Sequence, residues 1–398
     1  MACVTRGARE PSVTAHVVAN DVAAIAEQVR DARARGSALR ISAGGHWLDA
    51  GRPCAAATLL DLGSLSGITS YEPGDLTLTA RAATSLDEIE RVTAGEGQWL
   101  TLDPYGAGAG TLGATIATAS WGPLASAYGT PRDHVLGCEF VTGAGDVVRA
   151  GGRVVKNVAG FDLVRLVTGS WGTLGALTEM TVRLRARPEE DLTLMVRIEG
   201  ASADGIATAA WRWTRESEFR PLAAELVSAS LARTLGAEGH AMLLVRLGGN
   251  TAFVRAARDS VASLGAVRED AAHLWQRLRG AEPDGALVFR ASTLPSHVGA
   301  AFVRVAAIAE PLGGYAHATL SRGVVRCVIP PVDSEQALTS LAASLVALQS
   351  TMSIVGERMP TAFWNIVPPP TDAVALAERV RRAFDPDGVM NPRILGMP

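Results

Sequence analysis

Hydrophobic and polar positions follow two textures along the chain. Up to Arg187, short β-rich runs are separated by glycine-rich loops, whereas beyond Pro188 longer strands alternate with amphipathic helices, so a boundary is expected at Arg187-Pro188-Glu189. Near the start, Val22, Ile25, Val29 and Ala32 share one helical face; Asn20 or Asp21 can cap that helix and Gly36 can stop it. Strands are predicted over 38–42, 58–62 and 76–82, the loop Ala43-Gly44-Gly45-His46-Trp47 leaves the first of them, and Ser85 to Glu88 forms a capping box before a short helix. After Asp191 the pattern predicts strands over 192–198, 241–247 and 287–291, helices over 204–215, 251–264 and 271–279, and another helix after Pro295. A hairpin from Tyr315 to Ile329, turning at Ser321-Arg322-Gly323, a helix over 334–348 and a last helix over 371–384 complete the series. Strands separated by helices predict an α+β fold in three parts: 1–187, 188–367 and a C-terminal segment 368–398.

Composition narrows the class. With 37 basic and 40 acidic residues the net charge is −3, which offers little footing for nucleic acid, and 48% of residues are hydrophobic, as in globular proteins generally. Cys3, Cys54, Cys138 and Cys327 lie far apart with no CxxC pair, so neither a disulfide framework nor a structural metal site is expected, and a cytoplasmic location fits. The first residues lack the apolar core of a secretory signal, and the charge-free run from Pro104 to Pro131 is too rich in Gly, Ser, Thr and Pro for a membrane span. Lys156 is the only lysine among the 37 basic residues. It is either retained for its compact charge or left by codon bias.

The glycines carry the chemistry. Gly108-Ala-Gly110-Thr-Leu-Gly113 matches GxGxxG, but a turn rather than a buried strand precedes it and Gly122-Pro123 interrupts the helix that should come next, which argues against a Rossmann site. Three glycine-bearing segments, 42–49, 106–122 and 151–177, can instead converge on phosphate groups, since glycine lets backbone N–H groups approach without a Cβ in the way. A cofactor with two phosphates is implied.

The segments ISAGGHWLDAG, TLGATIATASWGPLASAYGTPRDHVLGCEFVTGAGDVV and GGRVVKNVAGFDLVRLVTGSWGTLGALTEMTVRLRARP resemble the FAD-binding domain of the vanillyl-alcohol oxidase (PCMH-type) superfamily. The third is most like the FAD-binding E subunit of bacterial glycolate oxidase, and the terminal AFDPDGVMNPRIL resembles that group's ending, with Asn391-Pro392-Arg393 where NPG is usual. The resemblance implies a two-part PCMH-type FAD-binding domain, then an α+β cap domain, with the C-terminal helix returning to the FAD domain. It implies FAD contacts from Ala43, Gly44, Gly45, His46 and Trp47, from Asp103, Gly110, Thr111, Gly113, Thr118, Ser120 and Gly122, and from Thr173, Gly175, Ala176 and Leu177. In several branches a histidine of a GGH loop is bonded covalently to the flavin. His46 is read either in that role or as a hydrogen-bonding partner of the phosphates. Lys156-Asn157, expected at the start of a helix through Phe161, Leu163 and Leu166, either approaches the flavin or neutralises Asp162.

Hydride transfer from an alcohol needs a proton acceptor and, for an acid substrate, a cation. The candidates in the second domain are His317, which shares a strand face with Thr319, and the arginines Arg322, Arg326 and Arg290. A strand histidine can equally be structural. Phe363-Trp364-Asn365 is read as shelter for the flavin or as a partner surface, and Asn391 and Arg393 are expected near the flavin domain. No two of the seven histidines lie within five residues, which disfavours the metal-assisted chemistry of D-subunit relatives.

The expected function is FAD-dependent oxidation of a hydroxyl-bearing carbon, in a small 2-hydroxy acid such as glycolate. A second flavin subunit and an iron–sulfur subunit are expected partners, because this chain has no cysteine set for a cluster. The alternatives are a stand-alone oxidase of a sugar, alditol or other alcohol, and a non-catalytic, flavin-retaining subunit.

Overall fold

A computed structural model describes residues 15–396 except 55, 57, 107–109, 153–161, 199–201, 270–272 and 368–373. The chain divides into two compact units, one formed by 1–121, 129–187 and 368–398, the other by 122–128 and 188–367.

In the first unit β1 (Ala15–Val18), β2 (Leu39–Ser42) and β3 (Thr58–Asp61) form a parallel sheet in the order β1-β3-β2. The helix Val22–Ala34 links β1 to β2. Asp21 caps it by accepting a hydrogen bond from the Ala24 N–H at 2.8 Å, and its buried face carries Ile25, Ala26, Val29 and Ala32, as the helical spacing predicts. A second, antiparallel sheet runs β4 (Ile68–Glu72), β5 (Thr77–Arg81), β9 (Gly175–Arg183), β7 (Val135–Thr142) and β8 (Val147–Gly151) in that spatial order. A ribbon of β6 (Gln98–Trp99) and β10 (Arg185–Ala186) accompanies it. Phe140, Met180 and Leu112 anchor one hydrophobic core, and Ile25, Leu60, Val141 and Met390 another.

The second unit is built on one antiparallel sheet of eight strands: β11 (Glu190–Arg197), β12 (Ala223–Val227), β13 (Met242–Gly249), β14 (Ala266–Glu269), β15 (Leu287–Ser292), β16 (Tyr315–Thr319), β17 (Val324–Ile329) and β18 (Ser353–Arg358). Their order is β14-β11-β13-β12-β16-β17-β15-β18. Helices Ala203–Glu216, Thr251–Ala262, Val298–Ala309 and Glu335–Gln349 cover one face, packing Ala207, Val254, Phe302 and Leu345 against Leu226, Val245, Phe289 and Ala318. Because strand side chains alternate, Glu225, Arg290, His317 and Arg326 belong to the opposite face.

Several expectations change. The sequence pattern did not predict β12, whose Ala223-Ala224-Glu225-Leu226-Val227 is weakly strand-like; it becomes a strand because β13 and β16 flank it and all five residues are buried. The short edge strands β14 and β18 were not predicted either. The expected helix through Phe161 is, among the described residues, a short turn Leu163–Val167 capped by Asp162; Lys156, Asn157 and Phe161 lie outside the described residues. Phe363 and Trp364 are 3% and 7% exposed in a 3-10 turn, which removes them as an exposed partner surface.

Candidate functional site

The first glycine segment is held from below by a charged side chain. Arg40, 8% exposed on β2, donates through Nη2 to the carbonyls of Trp47 at 2.9 Å and Ala50 at 3.2 Å, fixing the loop that follows the strand. Within that loop Gly44 and Gly45 take φ of +82° and +79°, consecutive left-handed positions that side chains adopt only with strain. Thr111 joins the second segment to the first: its Oγ1 donates to the Ala43 carbonyl at 3.3 Å and accepts from the Ala114 N–H at 3.3 Å, capping the helix Leu112–Thr118. Gly113 lets that helix meet the end of β5, since its N–H donates to the Ala82 carbonyl at 2.8 Å and a Cβ there would lie 2.7 Å from the Ala82 Cβ. In the third segment Trp171 meets Trp47 edge-on, with ring centroids 5.8 Å apart.

Together these segments line a single cleft. Ala43, Gly45, His46 and Trp47 line it from the first segment, Gly113 and Thr118 from the second, and Gly175, Ala176 and Leu177 from the third. Gly44 and Thr111 stand just behind: a Cβ on Gly44 would come within 3.2 Å of the Thr111 Cγ2. The Gly110 carbonyl accepts from the Leu86 N–H at 3.1 Å, and the Ser120 N–H donates to the Thr115 carbonyl at 3.1 Å, so both serve the local backbone. Asp103 and Thr173 are buried, and Thr173 Oγ1 donates to the Ser170 carbonyl at 2.7 Å; neither is among the residues lining the cleft. Gly122 falls in the second unit.

The cleft also draws on residues that sequence reasoning passed over as FAD contacts, notably Arg40, Trp171 and Asn391. Arg40 had no motif to mark it, and Asn391 was expected only near this domain. The walls are small or apolar, with Leu62, Ala82, Ala117 and Leu177, and Arg40 is the one permanent cation among the described lining residues. Glycine-lined backbone beside a single buried cation, with tryptophans and leucines close by, suits an extended ligand with a diphosphate and an aromatic ring.

The second unit holds a different constellation. Glu225, His317, Arg326, Arg290 and Glu357 stand on five adjacent strands, with His317 opposite Arg326 and Arg326 opposite Arg290 in the strand registers. His317 Nδ1 lies 3.0 Å from Glu225 Oε2, with the two side chains 2% and 0% exposed. Arg326 and Arg290 would repel each other, but Glu357 bridges both at 2.6 Å, while Glu282 pairs with Arg326 at 2.7 Å and Arg358 at 3.1 Å. Burial alone would raise the Glu357 pKa, yet Arg326, Arg290 and Arg358 outweigh it and hold the carboxyl at about 2. Burial likewise works to lower the Arg326 pKa, but Glu282 and Glu357 drive it upward.

These contacts correct the expectation that Arg326 and Arg290 present a cation to an acidic substrate, because buried carboxylates already balance their charges. Arg322, in the hairpin turn, donates through Nη1 to the Ala125 carbonyl at 3.1 Å, and Ser321 beside it reaches Ser126 at 3.0 Å. Among the described residues no group of three or more His, Cys, Asp or Glu could hold a metal ion, and no helix is long and apolar enough to cross a membrane.

The profile of an FAD binding domain matches residues 13–151. Glycolate oxidase subunit GlcE of Escherichia coli (strain K12) is 36% identical over 258 residues, which are 64% of this chain and 67% of that one. The chain belongs to the PCMH-type FAD-binding oxidoreductases. Within the family, glycolate oxidase subunit GlcD of Bacillus subtilis (strain 168) is 34% identical over 151 residues, covering 38% of this chain but only 32% of that subunit. The fold is shared with p-cresol methylhydroxylase, at a TM-score of 0.75 and 14% identity over 97% of this chain and 90% of that one. This member is an FAD-dependent oxidoreductase, and FAD is its cofactor.

Proposed function

We propose that this chain oxidises a small 2-hydroxy acid such as glycolate, working as one subunit of a glycolate-oxidase-like complex with a second flavin subunit and an iron–sulfur subunit. The observation that carries the reading is the 258-residue similarity to a glycolate oxidase subunit. The bound FAD supplies the hydride acceptor. The glycine segments with Gly45 and Gly113 cradle its diphosphate, Arg40 balances the negative charge, and Thr118, Gly175, Ala176 and Leu177 line the rest of the cleft. His317, whose Nδ1 lies 3.0 Å from Glu225 Oε2, is the proposed acceptor of the hydroxyl proton, with Glu225 orienting the ring. In this reading Arg322, in the hairpin turn, meets the substrate carboxylate.

In this reading the electrons leave through the partner subunits. The test is anaerobic reduction of the purified flavoprotein. Glycolate or another 2-hydroxy acid should bleach the flavin absorbance; bleaching by alditols alone would replace this reading with that of a stand-alone alcohol oxidase. One observation favours that second reading: His46 is exposed and lines the cleft. An acid-precipitated pellet that stays yellow would support the bond, and a colourless one would exclude it.

A further inference from the structure

Asn391 joins two of the three glycine segments from the far end of the chain. Its Oδ1 accepts from the Ile41 N–H at 2.8 Å on the strand that feeds the first glycine loop, and its Nδ2 donates to the Trp171 carbonyl at 2.7 Å in the third segment. Its own N–H donates to the Leu39 carbonyl at 2.9 Å, the Leu39 N–H donates to the Val389 carbonyl at 2.7 Å, and Met390 bridges Leu39 in parallel register. The C-terminal residues thus extend β2 along its outer edge. Asn391 is 4% exposed, has a φ of +43° and lines the cleft together with Ile41, Trp171 and Gly172. The fit at Gly172 is close, since a Cβ there would come within 2.7 Å of the Asn391 Nδ2. Behind it, the buried Asp385 carboxylate accepts from the Val389 N–H at 2.9 Å and the Met390 N–H at 3.0 Å, shaping the turn that delivers Asn391.

We propose that Asn391 is a positioning residue for FAD, and that docking of the segment 385–396 and binding of FAD favour one another. A side chain that ties the strand before one loop to the backbone of another sets the distance between them, and a diphosphate cradle built from two loops binds only when that distance is right. The coupling is reciprocal: FAD must stabilise the docked C-terminus as much as the docked C-terminus stabilises FAD. The inference rests on the cofactor reading of the cleft.

Asn391→Gly removes both side-chain hydrogen bonds while tolerating the left-handed backbone, so it avoids the strain that alanine would add. In fluorescence titrations of the apoprotein, held at a temperature where the variant is fully folded, the variant's Kd for FAD should rise about tenfold or more. An FAD affinity within about twofold of the parent overturns the proposal, as does a large fall in apoprotein stability with unchanged affinity. Hydrogen exchange on the unmodified chain supplies a test that needs no variant. Saturation with FAD should slow exchange at the amides of Val389, Met390 and Asn391, and unchanged exchange there overturns the coupling. A parent chain that takes up no FAD at all would overturn the cofactor reading itself.

Discussion

The two units do their work with opposite materials. Of the described residues lining the cleft in the first unit, only Arg40 and His46 carry ionisable side chains, and the rest of the wall is glycine, alanine, aliphatic and tryptophan surface with the neutral polar Ser42, Thr118 and Asn391. In the second unit, one sheet face sets Glu225, His317, Arg326, Arg290 and Glu357 across five adjacent strands, nearly all withdrawn from water. A cofactor with its own charges is held by shape and backbone donors, whereas moving a proton needs ionisable groups whose surroundings are fixed. The first unit should therefore be sensitive to volume, and the second to charge and pH.

The largest effect should come from the buried pair. His317→Asn is expected to lower kcat with glycolate by roughly 10²–10⁴-fold while the flavin content stays at the parent's level; an unchanged kcat would place the proton acceptor elsewhere. Glu225→Gln should act in the same direction but less strongly, because the ring loses its orienting charge and not its base.

Acid should then find the second unit's weak point. The Glu357 pKa is held at about 2, below the ordinary value of 4.5, so the unfolded chain takes up the proton first and stability falls as pH drops from about 4.5 towards 2. The full contribution lies near 3 kcal/mol as an upper bound, at about 1.4 kcal/mol per pKa unit. Glu357→Gln should be less stable than the parent at neutral pH and show a flatter loss in that acid window by chemical denaturation. An equal slope in both proteins would show that this ion network does not set the acid limit.

The first unit answers to size. Gly113→Ala drives a methyl group against the Ala82 Cβ and carbonyl, which should cost about 1–3 kcal/mol and reduce FAD retention without altering the pH profile. Smallest of all, Thr111→Ala should remove about 1 kcal/mol as a lost helix cap, measurable as a shift in the denaturation midpoint. If Gly113→Ala instead changed the pH dependence, the contrast between shape and charge would fail.

Legibility in the chain tracked the range of each interaction. The helix capped by Asp21, the turn at Ser321 to Gly323 and the cap at Ser85 depend on neighbours three or four residues away, so their patterns were visible and the elements formed close to the expected limits. The strand over 223–227 gave no such sign, because its weak local preference was overruled by strands on both sides. Arg326 and Arg290 looked available because the carboxylates that meet them lie far off in sequence, Glu282 being 44 residues from Arg326 and Glu357 standing on another strand from Arg290.

By itself the amino-acid sequence determined where glycines interrupt the strands and which residues begin and end the local helices, through motifs whose meaning is local, and its resemblance to a known family pointed to FAD. Only the tertiary structure decided which polar groups meet. Glu225 reaches His317 across 92 residues and Asn391 reaches Ile41 across 350. Such partners are selected by strand order and by the exclusion of water around them, and neither property is carried by any short stretch of chain.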